Sequence, residues 1–144
     1  KLYEDIATTA KLIDKAGKIA YLNEKDYYYR IRPNSIQTAS FNPKKLDLLD
    51  QLNVVKSIVQ TTYPSLINAY YSKEQSALFN LYMNISPDDT KEMLGIADDL
   101  WHGIKKNRIS VLKDREARPD ARIASLLSFL GSIPCRCVYK LVRK

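Results

Sequence analysis

Apolar positions recur along most of this chain at helical spacing. Ile6, Ala10 and Ile13 stand at i, i+4 and i+7, which predicts a short amphipathic helix opened by two adjacent carboxylates, Glu4 and Asp5. Gly17 falls where a glycine commonly ends such a helix. The period then changes. Lys18 to Leu22 and Tyr27 to Arg32 read as strand-like runs around the polar tetrad Asn23-Glu24-Lys25-Asp26, a β-hairpin. In the second run Tyr28, Arg30 and Arg32 alternate with Tyr27, Tyr29 and Ile31. Strand geometry puts both guanidiniums and Tyr28 on one face, and Tyr27 and Tyr29 toward a core. Pro33-Asn34-Ser35 ends the run with turn chemistry.

After a polar connection from Gln37 to Phe41, the pattern is helical again. Asn42-Pro43 opens a helix whose stripe is Leu48, Leu52, Val55 and Val59, and which stops before Tyr63-Pro64. Pro64 opens the next, carrying Ile67, Tyr71, Leu78, Leu81 and Tyr82. Ser86-Pro87-Asp88-Asp89 predicts a further start, with Met93, Ile96, Leu100, Trp101 and Ile104 following. Arg118-Pro119-Asp120 breaks the chain. Ala121 to Leu130 and Cys135 to Val142 then form two last helical pieces around Gly131-Ser132-Ile133-Pro134. The expected fold class is mainly α: a short helix plus β-hairpin over residues 1–41, followed by a helical bundle over 42–144 that ends in a basic amphipathic tail.

Composition changes this picture in two ways. With 45% hydrophobic and 27% charged residues in 144, the balance is that of an ordinary globular domain, and neither a secretory leader nor a membrane-spanning helix is expected. The net charge of +7 and pI near 9.4 are concentrated after His102, which implies a polyanionic neighbour, anionic lipid or nucleic acid. Cys135 and Cys137 lack a second Cys or His pair to complete a zinc site and are read as reduced thiols that pack in a cytoplasmic chain. His102, the single histidine, is read as a partly buried packing residue on its helix.

Read from the residues alone, Glu4-Asp5 is first a pair of first-turn carboxylates, each stabilised by the helix dipole by about 0.3–1 kcal/mol. Arg30 and Arg32 form either a solvated strand face pairing with Glu24 or Asp26, or a clamp for phosphate oxygens. A resemblance bears on both. The succession Y-E-D, an amphipathic helix ending in G, Y-L-N-E, and Y-Y-Y-R-I-R-P-x-S-I resembles the C-terminal part of the catalytic domain of family 2 glycosyltransferases, bacterial GT-A enzymes that build surface polysaccharides. It is marked over residues 2–42 and weaker through the helical remainder.

The resemblance implies that Asp5 is the catalytic base, supported by Glu4. It implies that Arg30, Arg32 and Ser35 belong to a loop closing over the donor diphosphate; Tyr28, on the same strand face as the arginines, is expected to contact sugar or acceptor. It implies a nucleotide-sugar donor, a glycan or lipid-linked acceptor, and a divalent metal, Mg or Mn. The hairpin would then be the C-terminal edge of a GT-A α/β domain. That family also has a nucleotide-binding half with a D-x-D motif, and no D-x-D occurs here; Asp88-Asp89 and Asp98-Asp99 are adjacent pairs on expected helices. The reading is therefore a transferase fragment, inactive by itself, with no metal ligand among these residues.

Two other classes compete. A basic module for nucleic acid fits the pI and the ten tyrosines, but those tyrosines are scattered rather than arrayed on one basic face. A non-catalytic scaffold would oligomerise through its apolar stripes. The tail carries Ile123, Leu126, Leu127, Phe129 and Leu130 beside Arg118 and Arg122. Beyond them Val138, Leu141 and Val142 stand beside Arg136, Lys140, Arg143 and Lys144. It reads either as a bundle helix with solvated charges or as an interfacial helix lying on an anionic inner leaflet.

Overall fold

The computed structural model describes residues 1–25, 27, 28, 30 and 40–142. Among them are six α-helices: α1 (Glu4–Lys15), α2 (Asp47–Thr62), α3 (Ile67–Met83), α4 (Lys91–Lys113), α5 (Pro119–Leu127) and α6 (Ser132–Val142). Single 3₁₀ turns lead into α2 (Pro43–Leu46) and α3 (Pro64–Leu66) and follow α5 (Ser128–Leu130). Pro43, Pro64 and Pro119 each stand at the first position of a helical segment, where the missing N–H is one the helix cannot use.

Among the described residues the expected β-hairpin is absent; Asp26, Tyr29, Ile31 and Arg32 lie outside them. Lys18 to Leu22, and Tyr27, Tyr28 and Arg30 of the second run, carry no strand, and the described chain is helical with irregular connections. An isolated hairpin is marginal in water, because its edges keep unpaired N–H and C=O groups and its apolar face has nothing to pack on. No other strand among the described residues supplies that partner. Tyr27, expected in a core, is instead 81% exposed, and Ile19, Tyr21 and Leu22 are exposed with it.

The core forms where α3 meets α4. Leu78, Phe79, Leu81, Tyr82 and Ile85 interlock with Ala97, Leu100 and Ile104, and Cys135 of α6 closes the same cluster. Gly103 allows this approach: a Cβ there would stand 3.1 Å from Leu78 Cδ1. A second cluster, Leu52, Tyr70 and Ala77, joins α2 to α3 and takes Ile6 of α1 onto its flank. At the centre lies Gln75, fully buried, whose Nε2 donates to the Ile104 carbonyl (3.3 Å) and to Ser125 Oγ (3.0 Å), so one amide ties α3, α4 and α5.

Two helix starts differ from expectation. Ser86-Pro87-Asp88-Asp89 closes a turn (Asp89 N to Ser86 O, 3.3 Å), and α4 begins later, where Thr90 Oγ1 accepts the Met93 N–H. Asp88 and Asp89 are thus outside the helix. Helix α6 begins at Ser132, and Pro134 sits inside its first turn, a place that tolerates proline. His102 is exposed, its Nδ1 2.7 Å from the Asp98 carbonyl one turn back.

The α2–α3–α4 seam carries a polar network. Buried Tyr70 donates to Glu74 Oε1 (2.7 Å), whose other oxygen accepts from Asn107, and Lys56 lies 5.6 Å above the Tyr70 ring. Burial first, then the Glu74 carboxylate, push the Tyr70 phenol well above the usual tyrosine range. In the unfolded chain that phenol ionises near pH 10. The native state therefore holds its proton longer, and its stabilisation is complete below about pH 10 and lost as pH rises above that. Urea melts should show stability falling above about pH 10, and Tyr70→Phe should flatten that fall while costing about 1 kcal/mol at neutral pH. An unchanged alkaline slope in the variant would contradict this assignment.

Candidate functional site

The entry into α1 is held by the first turn of α2. The Leu2 N–H donates to Asp47 Oδ2 (2.8 Å), and Lys1 Nζ pairs with Asp50 (2.9 Å). Between this strap and the helix, Tyr3 adopts φ 61°, the left-handed region, and is the sole non-glycine among the described residues to do so. Such a conformation costs a non-glycine residue on the order of 1–3 kcal/mol and persists only where its surroundings impose it.

Glu4 and Asp5 follow directly in the first turn of α1, where the dipole favours anions. Both are exposed, and neither is engaged by an ion pair or hydrogen bond among the described residues. Asp5 lines an open depression of about 410 Å³ together with Ile6, Thr9, Ala10 and Ile13 of α1, Leu52 and Val55 of α2, and Lys73 of α3. The amphipathic stripe legible in the sequence is thus the wall that leads from Asp5 into this depression. Lys73 also borders a second depression of about 530 Å³, which runs past Ser65, Asn68 and Ser72 to Asp114 and Arg118. There the Ser72 hydroxyl is buried without a hydrogen-bond partner.

The other expected site residues that are described, Tyr28 and Arg30, do not line this depression. Tyr28 is 93% exposed and Arg30 is exposed, and no strand aligns them on a common face. Arg32 and Ser35 lie outside the described residues. Nothing in the sequence pattern marks Lys73. It stands on α3 far from Asp5 along the chain, and only the packing of α1 across α2 brings the two to one depression.

A carboxylate and a lysine lining one largely apolar depression can accept a proton from a bound hydroxyl and hold another of the ligand's oxygens, respectively. The divalent metal implied by the resemblance finds no such fit: among the described residues no three His, Cys, Asp or Glu side chains are grouped to share an ion. No protein-family model, no curated protein and no solved structure matches the chain.

Proposed function

We propose that this chain is the acceptor-side portion of an inverting glycosyltransferase resembling family 2, with Asp5 as its general base. The observation that carries the reading is Asp5: a carboxylate beside Glu4, without an ion pair or hydrogen bond among the described residues, two residues after a left-handed Tyr3 and lining a depression that Lys73 also lines. Strained backbone collects at functional sites because it costs stability that packing alone does not require.

In this mechanism the acceptor hydroxyl oxygen attacks the anomeric carbon from the side opposite the diphosphate. The Asp5 carboxylate takes the hydroxyl proton as the new C–O bond forms. The bond to the diphosphate breaks, its electron pair leaves with the nucleoside diphosphate, and the anomeric configuration inverts. Lys73 holds the acceptor by one of its other oxygens, and Arg30 and Arg32 stabilise charge on the departing diphosphate. The test is the product's anomeric configuration, read by proton NMR from transfer by the enzyme that contains this chain together with a nucleotide-binding half. Inversion is expected. Retention would require a covalent or front-face route and would remove the base role from Asp5.

A further inference from the structure

In helix α5 and the turn after it, half-buried Ala124 and Leu127 pack on the core, but the other large apolar residues face outward. The residues this segment buries are small or polar: Ala121, Ser125 and Ser128. Those it exposes are large and apolar: Ile123, Leu126 (62%), Phe129 and Leu130, and Ile133 at the start of α6 continues the series at 75%. A surface helix normally shows the opposite arrangement, with its large apolar stripe turned to the core. Five exposed large apolar residues within eleven positions make a patch, not scattered surface residues.

The surroundings say what the patch fits. Residues 103–142 hold nine lysines and arginines against three carboxylates. Arg122 is exposed within the patch itself. Arg108 closes one edge, its guanidinium 3.9 Å over the Phe129 ring, and exposed Lys105 lies one turn before it on α4. Arg136 is engaged inward instead, over the Tyr82 ring and on the Ile85 carbonyl. No described helix is long and apolar enough to cross a membrane. An apolar face with a cationic border, on a helix too short to span, suits insertion between anionic lipid headgroups.

We propose that the α5 face is a docking surface for an anionic bilayer, with Ile123, Leu126, Phe129, Leu130 and Ile133 entering the headgroup boundary and Arg122 and Lys105 on lipid phosphates. This assigns the contact to the outward side of α5 rather than to the end of the tail. It does not depend on the transfer chemistry.

Flotation of the full chain with vesicles tests it, comparing phosphatidylcholine alone with phosphatidylcholine containing about one-third phosphatidylglycerol. Binding to the anionic vesicles only is expected, falling as salt is raised. Arg122→Ala should lower partitioning about fivefold, the effect of one charge near the surface. Ile123→Glu with Leu126→Glu should lower it more than about tenfold. Both sites are exposed, so thermal melts of these variants should match the parent, and Leu126→Ser provides a milder change with the same direction. Three results overturn the proposal: no flotation, equal binding to both vesicle types, or undiminished binding by the glutamate variant. Self-association that Leu126→Glu abolishes, without any vesicle binding, would give the face to a second copy and overturn it as well.

Discussion

Replacing Gln75 by Glu is expected to destabilise the protein by about 3 kcal/mol or more, a large part of the roughly 5–15 kcal/mol typical of a domain. Gln75 is fully buried, and its Nε2 donates to both the Ile104 carbonyl and Ser125 Oγ. A carboxylate in its place would set an anionic oxygen against the Ile104 carbonyl and have to lose its hydration. The cost is reduced only by protonating the carboxyl, so its native pKa would rise above the unfolded value of about 4.3. The sign follows: the unfolded state releases the proton first, so the variant loses stability as pH rises above about 4 and regains it on acidification. Gln75→Leu carries no charge and should cost about 1–3 kcal/mol, mainly for the buried Ser125 hydroxyl left without its donor, with no such pH dependence. Urea denaturation at pH 4 and pH 7 separates the two. Equal losses for Glu and Leu at both pH values would mean that the amide is not a junction of three helices.

The helices were legible because their cause is local. Leu48, Leu52, Val55 and Val59 define a face without knowledge of the partner, and Pro43, Pro64 and Pro119 mark entries through a missing N–H alone. The hairpin expectation fails for the complementary reason. Period-2 alternation from Tyr27 onward states a preference that only a neighbouring strand can realise, and the described residues offer none. Ser86 and Thr90 are both capable caps, and the choice fell to the later one because Ser86-Pro87-Asp88-Asp89 closes its own turn. In α5 the spacing predicts a helix correctly but not its orientation, since Ala121, Ser125 and Ser128 form as regular a stripe as the leucines do. At the candidate site, Asp5 and its helix stripe were readable, whereas Lys73 was not, because a long-range packing arrangement brings it there.

Asp5→Asn is expected to lower sugar transfer by about 10²–10⁴-fold. The amide keeps the size of the side chain and leaves the α1 stripe and the Tyr3 entry untouched, so the helix should persist with at most the loss of one dipole interaction, about 0.3–1 kcal/mol. What it cannot do is accept the acceptor proton. Because that proton moves in the transition state, the loss belongs to kcat, with donor affinity and acceptor KM close to the parent's. Glu4→Gln removes the neighbouring charge but no proton acceptor on the reacting hydroxyl, and a change within about tenfold is expected. If instead both variants lose activity equally, the pair acts through its summed charge at the start of α1, and neither is the base.

The measurement that tests the proposed base most directly is therefore a paired one: single-turnover transfer and donor affinity for the proposed transferase and for its Asp5→Asn variant. The account predicts an unchanged donor dissociation constant with transfer slowed by at least about a hundredfold. Transfer within a few-fold of the parent would reduce Asp5 to a helix-terminal carboxylate and contradict the assignment of a base at the head of α1.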